Sequence, residues 1–241
     1  MISVRTKFYF SMENLILQQF FVFTFSERHD KMCSYLYFSF LRGQTMDSNF
    51  FALISRMRYI ARWGLMRNAL PENIQEHSHM VAVLAHALGV IRRDIFHQPC
   101  DVNALATAAL YHDASEILTG DLPTPIKYHN AEIMSAYHAV EDLAVQKLLG
   151  MLPPELRETY ADVLAEDKDG DIYPLVKAAD KLSAYIKCIE ERKAGNNEFL
   201  SAEAQTRAAL EASPLPEVQY FLEHFIPAFE RDLDELGAIG Q

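Results

Sequence analysis

The sequence predicts an all-α fold, a bundle of amphipathic helices. After position 46, apolar residues recur at three- and four-residue spacing, and the alternating pattern of strands is nearly absent. Capping residues, prolines and glycines punctuate the apolar stripes. Asp47 or Ser48 can cap a first helix running through Arg62, with Phe51, Ile54, Met57 and Ile60 at three-residue spacing. Asn73 followed by Glu76 has capping-box spacing and opens a helix to about Arg93, with Val81, Leu84, Leu88 and Ile91 on one stripe. Asp101 caps the next, to about Leu118, and Gly120, Pro123 and Pro125 end it in a rigid loop. Further helices are expected over 130–149, 153–165, 172–194, 201–212 and 216–236.

With 241 residues, half of them hydrophobic, the chain is long enough to bury a sizeable core as one domain. Twenty-two Lys and Arg against 33 Asp and Glu leave a net charge of -11, a field that repels polyanions and argues against a nucleic-acid groove. A small phosphate ester remains open to such a surface where a metal ion or a few cations reverse the local field. Cys33, Cys100 and Cys188 are too widely spaced for a zinc knuckle or redox pair, which points to reduced cytoplasm. No apolar run reaches the roughly 18 residues of a membrane span.

Residues 1–45 differ in kind. They hold 11 of the 27 aromatic residues, and their five cations against three acids make +2. Arg5 and Lys7 before the apolar stretch 15–25 suggest a signal peptide, but Gln18 and Gln19 interrupt it and no small-residue cleavage site follows. Met46 opens a segment that reads as a complete domain, 46–241. The first 45 residues are thus expected to be an extension, either outside the native protein through an upstream start codon or a peripheral arm.

Phosphate loops, dinucleotide fingerprints, nucleophile elbows and zinc-protease helices are absent from the sequence. What remains is a set of histidines and carboxylates on helices. His77 lies on the stripe of Val81, Leu84 and Leu88, while His79 is offset by about 200°. His112 and Asp113 are adjacent near a helix end, and Asp180 interrupts a core-like helix. Taken singly, each has an ordinary reading: a hydrogen-bonded histidine, a chance dipeptide, a surface ion pair. Together, two imidazoles and two carboxylates from three helices would make a mixed nitrogen and oxygen site for Mn²⁺, Co²⁺, Fe²⁺ or Zn²⁺. Buried aspartates would each need a cation nearby.

His77, His112-Asp113 and Asp180 match the His…His-Asp…Asp signature of the HD-domain metal-dependent phosphohydrolases. The stretches Arg62 to Asn68, Glu72 to Ser78, Tyr111 to Pro125 and Lys193 to Phe199 resemble the YfbR-type bacterial 5'-deoxynucleotidases over about 46–235. The resemblance implies an HD-domain helical bundle with a buried metal site. It implies hydrolysis of deoxyribonucleoside 5'-monophosphates with a divalent metal, Co²⁺ or Mn²⁺ before Zn²⁺, Fe²⁺ or Mg²⁺, by a homodimer. His77, His112, Asp113 and Asp180 would ligate the metal, and Glu116 and Asp121 would be the catalytic acids. Arg62 would hold the phosphate and Trp63 would lie against the sugar, with His77 and Asp121 also lining the substrate site.

The residues fit those roles. Glu116, four positions after His112, would lie on the same face of a continuous helix. Arg62 offers a planar fork for two phosphate oxygens. Lys127 is a further cation able to approach a phosphate, or else a solvated loop lysine. The four ligands alone leave open triphosphates, cyclic nucleotides or an alarmone as substrates. A two-iron HD oxygenase would recruit His129 and His138, which are nine residues apart and on opposite sides of one straight helix. A non-catalytic binding module is the remaining alternative.

Overall fold

The computed structural model describes residues 48–127, 129–165 and 170–237; Asp47 and the expected extension 1–45 lie outside them. The fold is all-α, and among the described residues the backbone pairing between separate segments is a single antiparallel bridge, Ala61 with Asn73. At its centre, α2 (Ile74–Val90) packs against α3 (Val102–Tyr111) and the long α8 (Tyr173–Lys193). Val81, Leu84 and Leu88 of α2 meet Leu105 and Ala109 of α3 and Leu175, Ala179, Leu182, Ile186 and Ile189 of α8 in one buried cluster. Each large side chain so buried is worth about 1.5–3 kcal/mol.

The predicted stripe on α2 is therefore the core face, and its capping box forms as expected. Asn73 Oδ1 accepts from Glu76 N at 3.0 Å, and Glu76 Oε2 accepts from Asn73 N at 3.4 Å. Past Val90 the helix loosens into a π turn, Ile91–Ile95. Asp101 caps α3 by accepting from the backbone of Asn103 and Ala104.

Three expected helices are shorter than their patterns. The first, α1, covers Phe50–Ile54 and tightens into a 3₁₀ turn over Ser55–Tyr59 without reaching Arg62. Ser48 does not cap it; its hydroxyl donates instead to Met151 O at 2.6 Å. The helix expected to reach Leu118 stops at Tyr111; a turn over 112–115 leads into the short α4 (Glu116–Thr119). The loop with two prolines holds a helical turn of its own, α5 (Thr124–Lys127). After α6 (Ala131–Gly150), α7 (Pro154–Leu164) and α9 (Leu200–Glu211), the stretch expected over 216–236 divides into α10 (Pro216–His224) and α11 (Ile226–Phe229). Pro227 cannot supply the amide that a continuous helix would need. A second cluster, Phe50, Ala114, Leu148, Leu149, Leu152 and Leu164, seats the turn 112–115 against α1, α6 and α7.

Candidate metal centre and active site

The register of α2 separates its two neighbouring histidines. His77 is fully buried and His79 is exposed. His77 Nδ1 lies 3.2 Å from Ser183 Oγ on α8, and its Nε2 lies 3.1 Å from Oδ1 of Asp180, three residues before that serine on the same face of α8. From the turn after α3, His112 donates its Nδ1–H to Ala109 O at 2.7 Å, which in the neutral ring leaves Nε2 as the lone pair. Asp113 places Oδ2 at 3.1 Å from His112 Nε2, 3.5 Å from His77 Nε2 and 3.3 Å from Arg62 Nη1.

Both Nε2 atoms are buried and make no hydrogen bond, although carboxylate oxygens stand beside them. One donor atom from each of His77, His112 and Asp180 lies within 4.8 Å of the others, with Asp113 bordering the group. Two imidazole nitrogens and adjacent carboxylates in that space are a donor set for a first-row divalent ion. An unsatisfied buried polar atom costs about 1–3 kcal/mol, and ligation would satisfy both nitrogens at once. The donor set therefore fits a metal. The Asp180 side chain is 32% exposed, so the cluster opens to solvent and a substrate could reach it.

The electrostatics of the pocket follow from burial and crowding. Burial by itself raises the pKa values of Asp113 and Asp180, but His112, His77 and Arg62 around the first, and the two histidines around the second, hold both far below the usual carboxylate range. Burial lowers Arg62, and the surrounding Asp113, Asp180, Glu72 and Asp121 more than restore it. Glu116 is buried, and that burial together with Asp113 and Asp121 pushes it up to about 10. Asp121 is also raised, by burial and by Asp113, against the pull of Arg62.

The expected residues are thus gathered with some revisions. Glu116 does not follow His112 along one helical turn; its amide donates to Asp113 O at 3.0 Å across the turn, and its Oε2 is buried without a hydrogen bond. Trp63 does not close a helix. It has a left-handed backbone, φ 58, held by Met66 N donating to Trp63 O at 2.8 Å, and its ring stands edge-on to Phe199 at 5.2 Å. Lys127 pairs with Glu141 at 3.0 Å and lies over the Tyr137 ring at 4.5 Å, within electrostatic reach of Glu116. Of the two histidines a second iron would need, His129 is exposed and His138 Nδ1 pairs with Glu141 at 2.9 Å. Sequence reasoning missed Ser183, Glu141 and Glu72, because a side chain that orients another leaves no spacing signal of its own.

The model of the family described as 5'-deoxynucleotidase YfbR-like matches residues 49–229. Proteins named 5'-deoxynucleotidase YfbR from Shigella boydii serotype 18 and from Escherichia coli are 50% identical over 192 residues, 79% of this chain and 96% of each relative. The crystal structure of an HD-domain phosphohydrolase from Listeria innocua matches with a TM-score of 0.67 at 26% identity, covering 75% of this chain and 88% of that one. A protein from Pyrococcus horikoshii shares the fold, with a TM-score of 0.58 at 21% identity over 76% of this chain and 98% of that one.

Proposed function

The chain belongs to the YfbR-like 5'-deoxynucleotidase family, and from that membership we propose that it hydrolyses deoxyribonucleoside 5'-monophosphates to deoxynucleoside and phosphate at a divalent metal site. The observation that carries the metal site is the pair of buried, unbonded Nε2 atoms of His77 and His112 beside Asp180. His77, His112, Asp113 and Asp180 would hold the ion, with Co²⁺ or Mn²⁺ the metals we favour. Bound there, a divalent ion would supply Lewis acidity toward water and phosphoryl oxygen, and a positive charge that lowers the Glu116 pKa.

The chain's own groups supply binding and proton transfer. Arg62, oriented through Nε by Glu72 and through Nη1 by Asp113, offers its guanidinium to the phosphate. Trp63 forms a wall for the sugar, and His77 and Asp121 line the same pocket. Lys127 adds positive charge on the Glu116 side. Hydrolysis of the ester moves two protons, one from the attacking water and one to the leaving 5'-oxygen, and we assign these transfers to Glu116 and Asp121. Glu116 is the one that holds its proton at neutral pH in this geometry.

We take residues 46–241 as the catalytic domain and 1–45 as an extension outside it, a division the family match over 49–229 supports. We place the enzyme in the cytoplasm as a homodimer, on the resemblance; no helix among the described residues is long and apolar enough to cross a membrane. The test is phosphate release from the deoxy and ribo forms of one nucleoside monophosphate. Turnover of the deoxy form should vanish on chelation and return with Co²⁺ or Mn²⁺. Turnover that survives chelation, or equal turnover of the two forms, overturns the reading.

A further inference from the structure

One carboxylate oxygen serves both of the side chains proposed above to meet the phosphate and the sugar. Glu72 Oε2 accepts from Arg62 Nε at 3.2 Å and from Trp63 Nε1 at 3.1 Å. The backbone repeats the link, since Arg62 N donates to Glu72 O at 3.0 Å in the bridge that joins Ala61 to Asn73. Glu72 itself is anchored, because the next residue is the N-cap of α2 and closes the capping box four residues before His77. The Glu72 and Arg62 side chains are largely buried, 16% and 13% exposed, so their pairing is shielded from solvent screening. Trp63 needs such a hold. A bulky residue in the left-handed region is strained by about 1–3 kcal/mol, and such strain persists only where the surroundings impose it.

We propose that Glu72 is a positioning residue: its Oε2 ties Arg62 and Trp63 into one rigid unit, so that the phosphate grip and the sugar wall are set together. The proposal rests on the functional reading above, and it makes discrimination between deoxy and ribo substrates depend on a side chain that touches neither. A planar indole discriminates between sugars only while its distance from them is fixed, because a wall free to retreat by an ångström loses the contact it enforces. A carboxylate that merely stabilised the loop would affect folding and leave that discrimination alone.

Trp63 is the sole tryptophan of the chain, so its emission reports on this position alone. In the full-length chain, Glu72→Gln keeps an oxygen acceptor for the indole N–H but loses the charge opposite Arg62. KM for the deoxynucleotide should rise about tenfold, with kcat, the emission maximum and the deoxy-to-ribo ratio of kcat/KM unchanged. Glu72→Ala frees both partners. Its emission should shift, the indole should become more open to acrylamide quenching, and the deoxy-to-ribo ratio should fall about tenfold. Wild-type emission, quenching and ratio in Glu72→Ala overturn the proposal. So does Glu72→Gln with unchanged KM or shifted emission, which decides the matter if the alanine variant does not fold. Emission and quenching are read without substrate, so they judge Glu72 even if the wild-type chain releases no phosphate and the functional reading itself fails.

Discussion

His77 illustrates what separates a candidate ligand from an ordinary packed histidine. Its place on an apolar stripe is compatible with either, and the difference lies in what its two nitrogens meet. Nδ1 meets Ser183 Oγ and Nε2 meets carboxylates, and with an ion bound Ser183 can accept a hydrogen bond from Nδ1–H and so free the Nε2 lone pair for the metal. Removing that partner with Ser183→Ala should weaken divalent metal affinity about 10- to 100-fold, and Ser183→Thr should restore most of it. Calorimetric titration of Co²⁺ into chelator-stripped protein checks this; an unchanged affinity would mean that the serine is only packing. His77, His112, Asp113 and Asp180 were legible as a candidate set through the His…His-Asp…Asp signature, although each alone has an ordinary reading. Ser183 was not, because a serine on such a face is unremarkable until the ring it touches is known.

Among the elements, irregular pieces hold the chemistry and regular ones hold the pieces. The turn 112–115 carries His112 and Asp113 side by side beyond the end of α3, with Asp113 Oδ2 3.1 Å from His112 Nε2. The loop from Gly64 to Pro71 is pinned to α8 by one buried carboxylate. Glu191 accepts from Ala69 N at 2.8 Å, Leu70 N at 2.9 Å and Asn196 Nδ2 at 2.7 Å and pairs with Lys187, whose ammonium also donates to Leu70 O. Glu191→Ala would strand the buried Lys187 and two amides, so we expect a loss of about 3–5 kcal/mol in urea unfolding. The same group carries a pH signature. Burial raises its pKa, but the hydrogen bonds from Lys187, Asn196 and the two amides outweigh that and hold it at about 2, below the ordinary 4.5. Because the folded value is the lower one, this stability is complete above about pH 4.5 and is lost as the pH falls toward 2. The acid-unfolding slope in that window should flatten in Glu191→Ala; an unaltered slope would refute the assignment.

At the scale of the molecule, α2, the end of α3 and α8 meet through one core cluster, and the donor atoms collect where the three converge. An ion held only by the folded arrangement must stabilise it. At a concentration 100-fold above its dissociation constant the gain is about 2.7 kcal/mol. For a domain of this size that corresponds to roughly 5–10 °C in Tm. Thermal unfolding with and without Mn²⁺ or Co²⁺ should show this rise in the wild type and none in His112→Ala; an equal rise in both would place the ion elsewhere. By itself the sequence determined the helical class and the core stripes, because periodicity is written locally along the chain, and its His…His-Asp…Asp signature named the candidate ligands. Only the tertiary structure decided where helices break, which nitrogen of each imidazole faces the centre, and that Glu72 serves Arg62 and Trp63 together. Those outcomes depend on distances between segments far apart in the chain, which no local pattern encodes.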